Sequence, residues 1–194
     1  MKQNPSLLVK REINHEELAR VIKDAKHDDA EALERLAEYV YPRIYSYIYY
    51  RVHHIEDTED LASEVIVKMI KALKRQHGHF HAWIYKIAAN ALIDFYRKRA
   101  VRSEISLSEM TREIPDTSVN FSKQILLREN LKPALAALTE EQRQVIILKF
   151  IQEYGNEEIA TIMGKSIGAV KLLQFRALKS LRKYFERKGY ETKD

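Results

Sequence analysis

The stretch that decides the fold is NEEIATIMGKSIGAVKLLQFRALKSLRK, residues 156–183. Asn156 is a suitable N-cap for a short helix, and the two glutamates that follow it place negative charge in the first turn. Gly164 suits the position that ends this helix, and Ser166 caps a second, longer helix from about Ile167 to Phe185. The spacing therefore predicts two helices of unequal length joined by the short turn GKSI.

The second helix has two chemically different sides. One side is apolar and is predicted to pack on the first helix through Val170, Leu173, Ala177 and Leu181. Residues 165–188 also hold eight basic residues and a single acid, a charge that suits a polyanion. The pair therefore has the form of a helix-turn-helix DNA-binding motif. A solvated basic helix on an ordinary bundle is the alternative.

The predicted DNA-binding surface covers the turn and the exposed side of the second helix. Its first turns are placed to reach base edges, and the later residues Arg182 and Lys183 are placed to meet phosphates. The predicted contact residues are Lys165, Ser166, Lys171, Leu172, Phe175, Arg176 and Lys179.

The composition favours helices and excludes several kinds of chemistry. The 194 residues include only 5 Gly and 4 Pro, and 45% are hydrophobic. The chain has no cysteine, which excludes disulfides, thiolate zinc sites and cysteine nucleophiles. No apolar run is long enough to span a bilayer, and the N-terminus lacks a signal-peptide core. We therefore expect a cytoplasmic protein with no membrane insertion.

Two helical domains are predicted, separated by a linker. Thr139 and Gln142 form the pattern of a capping box for a helix over Glu140–Gln152. Helical periodicity is lost over residues 101–122, which carry Ser, Thr, Pro and acids and are predicted to be a flexible acidic linker. The expected fold is all-α, with small helical domains over residues 26–100 and 123–190.

Two further helices are predicted before residue 57. Asn14 is predicted to cap the first, with Glu17 in the capping-box position, within an N-terminal extension of residues 1–25. The second contains Pro42, which predicts a kink or a break because proline cannot donate the helical hydrogen bond.

The third helix, predicted to begin at Asp57 or Thr58, carries an acidic face. Asp57, Asp60 and Glu64 recur at i, i+3 and i+7, so their carboxylates lie on one side, opposite an apolar side that includes Leu61. This face suits docking on a basic protein surface. A catalytic carboxylate pair is the alternative. Because no nucleophile, metal-ligand set or phosphate loop accompanies these acids, we predict that the protein is not an enzyme.

The fourth helix, from about His81 to Arg99, mixes aromatic and basic residues. Such mixtures hold single-stranded nucleic acid, because bases stack on aromatic rings while cations follow the backbone. Trp83 and Phe95 have an alternative place in the hydrophobic core.

Three histidines precede or open this helix in the segment HGHFH: His77, His79 and His81. Their alternate spacing resembles a metal site, but no carboxylate or fourth ligand accompanies them. The pattern favours solvated histidines, and we predict neither a metal nor a cofactor.

Three stretches, in this order, resemble the extracytoplasmic-function (ECF) sigma factors of the sigma-70 family. DTEDLASEVIVKMIKAL (57–73) is similar to the helix with which that family binds RNA polymerase, and HAWIYKIAANALIDFYRKR (81–99) to its promoter-melting segment. Residues 156–183 are similar to its helix-turn-helix for the minus-thirty-five element. The resemblance implies a region 2 domain over 26–100 and a region 4 domain over 123–190.

The resemblance also implies roles and partners. Core RNA polymerase is the implied partner, through the clamp helices of its largest subunit and through its flap. The implied polymerase-binding residues are Asp57, Asp60, Leu61 and Glu64, of which the three acids would contact the clamp helices. The loop from about Lys74 to Phe80 would capture a base flipped out of the minus-ten element. The promoter, duplex and single-stranded, would be contacted at that element by His79, Phe80, Trp83, Lys86, Asn90, Arg97, Lys98 and Arg99. An anti-sigma factor is a further implied partner.

Two other functions remain open on the sequence alone. A stand-alone helix-turn-helix transcription regulator would bind duplex DNA without polymerase, commonly as a dimer. A nucleic-acid-processing enzyme would use the histidine segment or the carboxylates of the third helix.

Overall fold

The computed structural model describes residues 13–105, 131 and 133–189, and within these ranges the regular structure is entirely helical. The helices are α1 (His15–Ala25), α2 (Ala30–Val52), α3 (Ile55–Ala72), α4 (Phe80–Ile105), α5 (Glu140–Ile146), α6 (Asn156–Met163) and α7 (Ile167–Arg187). A 3₁₀ turn, Leu73–Arg75, follows α3, and a π-helical turn, Ile147–Ile151, follows α5. The all-α prediction is confirmed.

The N-terminal domain is a bundle of α1 to α4 whose helix starts are fixed by side-chain caps. Asn14 Oδ1 accepts from Glu17 N at 2.9 Å, and Asp29 Oδ1 accepts from Ala32 N at 2.7 Å. The Glu17 carboxylate binds Arg35 of α2, which ties the N-terminal extension to the bundle. The largest side chains of the shared core are fully buried: Leu36, Ile44, Tyr47, Ile48, Met69, Leu73, Ile84 and Tyr85.

Three predicted boundaries in this domain are wrong. The helix α2 runs through Pro42 without interruption, so the predicted break does not occur. The helix α3 begins at Ile55, because His54 and not Asp57 or Thr58 is its N-cap, with Nδ1 accepting from Asp57 N at 3.3 Å. The helix α4 begins at Phe80 and extends past Arg99 to Ile105, so the first residues of the predicted linker are helical. The remainder of that linker, residues 106–122, lies outside the described residues.

The C-terminal domain follows its predicted caps closely. Thr139 and Gln142 form the reciprocal capping box of α5, with both bonds at 3.3 Å. Gly164 ends α6 with a left-handed φ of +62°, a conformation that glycine adopts without a Cβ clash. Ser166 Oγ accepts from Ala169 N at 3.2 Å and starts α7. These predictions are confirmed.

One cap differs from the prediction. Gly155, not Asn156, is the N-cap of α6, and its N–H donates to Glu158 Oε2 at 2.8 Å. The Asn156 side chain instead accepts from Gln174 Nε2 at 2.8 Å, and this bond fastens the start of α6 to α7. The predicted apolar side of α7 is confirmed: Val170 and Ala177 are fully buried, and Leu173 and Leu181 pack at the edge of the core.

The two domains contact each other, a feature that no sequence pattern indicated. The helix α6 packs against the start of α4, and the π-helical turn packs against α2. Polar bonds join Arg51 to Glu140 and Gln152 to the backbone of Arg43. Tyr154 is buried at this contact, with its ring centroid 5.2 Å from that of His81 and 6.0 Å from that of Tyr85.

Candidate functional site

The acidic face of α3 is exposed on the N-terminal bundle. Asp60 and Glu64 are exposed, Asp57 lies at the margin beside its helix cap His54, and Glu64 also pairs with Lys68 at 2.6 Å. Leu61 does not join this surface: its side chain is only 6% exposed and lies in the core. A surface partner cannot reach Leu61, and its side chain instead holds α3 in place by packing in the core.

Sequence reasoning missed an apolar member of this face. Val67 is 49% exposed and lies seven residues after Asp60 and three after Glu64, so it shares their side of α3. A valine between acidic and basic residues on the solvent side of a helix was the available signal. The α3 face, defined here as Asp57, Asp60, Glu64 and Val67, thus combines negative charge with an exposed apolar side chain.

The loop between α3 and α4 is held in a defined shape by residues of its own and of α1. Gln76 is buried, and its Nε2 donates to the Gly78 carbonyl at 2.9 Å. Lys26, just after α1, donates from Nζ to the Gln76 carbonyl at 2.7 Å. Lys74 forms an ion pair with Asp28. The loop is therefore braced against the end of α1, and Gly78 turns it with a φ of +74°.

The aromatic residues at the start of α4 divide between surface and core. His79 is exposed, whereas Phe80 is 8% exposed, with its ring centroid 5.8 Å from that of Trp83. Trp83 is half-buried at the edge of the core, and so is Phe95. Of the predicted aromatic contacts, Trp83 retains an accessible edge, and Phe80 does not present its ring to solvent.

A stripe of exposed residues runs along α4. Lys86, Asn90 and Arg97 are separated by four and seven residues and share one side of the helix. Ile93, which the sequence interpretation left out, lies between them and is 63% exposed. We call Lys86, Asn90, Ile93 and Arg97 the α4 stripe. Lys98 and Arg99 are exposed on other sides of the same helix.

The exposed side of α7 is more apolar than its basic sequence suggested. Lys171, Arg176 and Lys179 are exposed as predicted, and Phe175 is 65% exposed. Leu172 is exposed beside them, and the structure adds the exposed residues Ile167 and Leu178. The α7 face, defined as Lys171, Leu172, Phe175, Arg176 and Lys179, therefore offers both cations and apolar side chains.

The two predicted contacts at the turn already have partners in the domain. Lys165 Nζ pairs with Glu141 at 2.7 Å, and the Ser166 hydroxyl caps α7. Both residues remain near the α7 face, but their polar groups stabilise the turn in this structure.

His81 is not the solvated histidine that its sequence context predicted. It is partly buried, its Nε2 lies 3.0 Å from the Tyr39 hydroxyl, and burial lowers the pKa of His81 to about 4. A charged imidazole is therefore unfavourable there at neutral pH. His77 and His79 are exposed. Within residues 13–105 and 133–189, no three His, Asp or Glu side chains gather as a metal site would require.

Comparison with protein families identifies the class of the two domains. Residues 36–102 match the family model of sigma-70 region 2, and residues 128–181 match that of sigma-70 region 4. The first match contains the α3 face and the α4 stripe, and the second contains the α7 face. The chain is thus a sigma-70-type protein.

Curated relatives narrow this class. The chain is 33% identical over 163 residues to RNA polymerase sigma factor YlaC of Bacillus subtilis, across 81% of this chain and 93% of YlaC. It is 32% identical to the ECF RNA polymerase sigma factor SigX of the same organism, across 80% of this chain and 84% of SigX. It is 30% identical to ECF sigma factor BldN of Streptomyces coelicolor, where the match spans 64% of BldN. The chain belongs to the ECF RNA polymerase sigma factors, which direct polymerase to promoters.

Solved structures agree on the fold. CnrH, solved in complex with the cytosolic domain of CnrY, matches with a TM-score of 0.67 and 20% identity, across 87% of this chain and 96% of that one. RpoE of Bartonella quintana, solved with the anti-sigma factor NepR, matches with a TM-score of 0.58 and 20% identity, across 88% and 95% of the two chains. In the part of the chain that the structure describes, no helix is long and apolar enough to cross a membrane.

Proposed function

We propose that the three exposed surfaces divide the work of promoter-directed initiation. The α3 face binds core polymerase at the clamp helices of its largest subunit. The α4 stripe and the braced loop hold the minus-ten element, and the α7 face reads the minus-thirty-five element. The observation that supports this division is the separation of charge: Asp57, Asp60 and Glu64 share one face of α3, whereas exposed cations follow α4 and α7.

The α3 face is suited to a protein partner and not to DNA. Its carboxylates would repel phosphates, and they would attract a basic surface by complementary charge. Val67 supplies the apolar contact that protein interfaces place among charged residues. We also propose that the C-terminal domain binds the flap of core polymerase as a second contact.

Promoter opening needs no chemical step in this scheme. Unstacking a base costs a few kcal/mol, and binding of the exposed strand offsets that cost. Lys86 and Arg97 are spaced to follow a backbone, Asn90 offers a donor and an acceptor between them, and Ile93 provides an apolar platform. The protein is accordingly a regulator in the cytoplasm, not a catalyst.

The α7 face is suited to the major groove of a duplex. Lys171 and Arg176 are exposed in the first half of the helix, where such helices meet base edges. Phe175 and Leu172 are suited to apolar contact with thymine methyl groups. An anti-sigma factor is a further partner that we propose, since RpoE was solved in complex with the anti-sigma factor NepR.

Run-off transcription with core polymerase and a promoter library tests the proposal. The wild-type chain should give promoter-dependent transcripts. Lys86→Ala should lower the yield of open complexes while leaving polymerase binding unchanged, and Lys23→Ala, an exposed lysine of α1, is its matched control. Absence of any promoter-dependent transcript across the library would reject the proposal.

A further inference from the structure

The turn of the helix-turn-helix carries a cation that is already paired with an acid from another helix. Lys165 lies between α6 and α7, directly before the N-cap Ser166, and its Nζ is 2.7 Å from Glu141 Oε1. Glu141 belongs to the first turn of α5. The lysine nearest to the start of α7 therefore has a carboxylate beside it, supplied by a different element of the same domain.

The backbone on both sides of this ion pair is fixed by the fold. The Lys165 N–H donates to the Ala160 carbonyl at 2.9 Å, just after Gly164 has turned the chain. On the other side, the capping box of Thr139 and Gln142 sets the first turn of α5. Because neither backbone segment has to be ordered, formation of the pair costs only side-chain entropy.

The cations on the exposed side of α7 have no such partner. Lys171, Arg176 and Lys179 are exposed, and none of them forms an ion pair with any acid in the described part of the chain. Farther along α7, Arg182 pairs with Glu186 of its own helix. The α7 face thus offers net positive charge, whereas the turn offers a cation and an anion that cancel.

Free cations and neutral pairs act differently on DNA. Sequence-independent affinity comes from cations that replace the counterions of phosphates, and each contact adds about 0.9 to the slope of log affinity against log salt. A lysine that is neutralised by a carboxylate of its own protein releases no counterion when DNA binds. The pair at the turn therefore removes one phosphate contact that the position of Lys165 would otherwise provide.

We propose that Glu141 is an internal substitute for a DNA phosphate, which binds Lys165 and thereby lowers the sequence-independent affinity of the chain for duplex DNA. Phosphate contacts carry no sequence information, so this restraint leaves base reading by the α7 face unchanged. The free chain then spends less time on the many competing non-specific sites of a genome and stays available to polymerase. The inference rests on the proposed function for the role of α7, and on the Glu141–Lys165 pair for the restraint.

A salt titration with duplex DNA of random sequence tests the restraint, because this probe needs no promoter. Glu141→Gln keeps the size of the side chain and removes its charge, which leaves Lys165 as a free cation at the turn. Glu34→Gln, at an exposed acid of α2, is the matched control with the same change in net charge. The double variant Glu141→Gln/Lys165→Ala removes the freed cation as well.

Glu141→Gln should bind the random duplex about fivefold more tightly than the wild-type chain at 0.1 M salt. Its slope should be steeper by about 0.9, so its affinity should fall about 3.5-fold more than that of the wild-type chain between 50 and 200 mM salt. The double variant should return to the affinity and slope of the wild-type chain. Glu34→Gln should match the wild-type chain throughout.

Two results would overturn the inference. One is an affinity and slope of Glu141→Gln equal to those of Glu34→Gln. The other is a gain in Glu141→Gln that persists in the double variant, because repulsion of DNA by the carboxylate, and not competition for Lys165, would then explain it. Circular dichroism of each variant checks that a change in binding does not come from unfolding.

The proposed function has its own tests, so the two can fail separately. Run-off transcription on the promoter library reports on promoter-directed initiation and does not depend on Glu141. Loss of promoter-dependent transcripts with a gain in random-duplex binding by Glu141→Gln would reject the proposed function alone. Normal transcription with no such gain would reject the inference alone.

Discussion

Arg51 and Glu140 form an ion pair across the domain boundary, with Nε 2.8 Å from Oε1. The arginine is 5% exposed, and the carboxylate of its partner is largely open to water. Arg51 also donates from Nη1 to the Tyr47 carbonyl at 2.9 Å and stacks over the Tyr47 ring at 3.7 Å. The pair thus links a buried cation of the N-terminal bundle to the first turn of α5.

Replacing Glu140 by glutamine removes the negative partner of this buried cation. We expect Glu140→Gln to lower the free energy of unfolding by about 1 kcal/mol, a value reduced because water screens the exposed carboxylate. Urea denaturation followed by circular dichroism measures the change. The same substitution at Glu141, whose partner Lys165 lies in the same domain, should change the stability by less than about 0.5 kcal/mol. Equal effects at both positions would contradict the role of the boundary pair.

The buried imidazole of His81 makes stability depend on pH. The pKa of His81 is lowered from 6.5 to about 4, mainly by burial; Glu158 opposes this shift, and Arg43 and His15 add to it. Between these pH values the unfolded chain binds a proton that the folded chain does not. The free energy of unfolding is therefore highest above pH 6.5 with respect to this group. It falls by up to about 3 kcal/mol as the pH is lowered toward 4.

His81→Gln tests this dependence, because glutamine keeps a polar group near the Tyr39 hydroxyl and does not titrate. Its free energy of unfolding should fall less steeply than that of the wild-type chain between pH 6.5 and 4. His77→Gln, at an exposed position of the preceding loop, should keep the wild-type slope. An unchanged slope in His81→Gln would show that another group controls the acid transition.

The bond from Lys26 to the Gln76 carbonyl predicts a role for α1 in promoter opening. Lys26→Met keeps the aliphatic stem and removes the donor, so the loop before α4 should lose its fixed shape. We expect slower or weaker base unstacking at the minus-ten element, measured by 2-aminopurine fluorescence, with unchanged affinity for polymerase. Lys23→Met, on the exposed side of α1, serves as the control. Normal unstacking in Lys26→Met would show that the brace is not needed.

Lys171 provides a test of the α7 face. Lys171→Ala should weaken binding to minus-thirty-five duplex by about 1–3 kcal/mol, the cost of a lost base-edge contact, and should reduce the slope of log affinity against log salt only slightly. Lys165→Ala should change the slope less, because Lys165 already pairs with Glu141. Titrations at several salt concentrations give both slopes. A larger loss at Lys165 would move the reading surface from α7 to the turn.

Local signals in the sequence predicted the caps and the apolar stripes. Thr139, Gly164 and Ser166 cap helices through hydrogen bonds to groups at most four residues away, so the local sequence is enough to predict their role. Pro42 gave a misleading prediction because long-range packing, and not local geometry, decides whether α2 continues there. The core side chains around it, including Tyr39, Val40 and Ile44, are buried along α2, and this tertiary packing outweighs the roughly 3 kcal/mol that an interior proline costs.

The contact between domains was beyond the reach of sequence patterns. Arg51 and Glu140 are 89 positions apart, and neither lies in a sequence motif from which the contact with the other could be predicted. The apolar periodicity of α3 did predict the burial of Leu61, whereas the burial of Phe80 was undecided, because an apolar residue beside a functional face can point either way. Exposure of Ile93 and Leu178 became visible only once the helices were packed, whereas the charged neighbours of Val67 had already indicated a position on the solvent side.

The affinity of the chain for core polymerase tests the central claim most directly. Fluorescence titration should show tight binding by the wild-type chain and a loss of about tenfold or more in Asp60→Arg, because a cation on the α3 face opposes a basic partner. Glu34→Arg, the same change at an exposed position of α2, should bind as the wild-type chain does. Equal affinities for wild-type, Asp60→Arg and Glu34→Arg would contradict the assignment of α3 as the polymerase-binding helix.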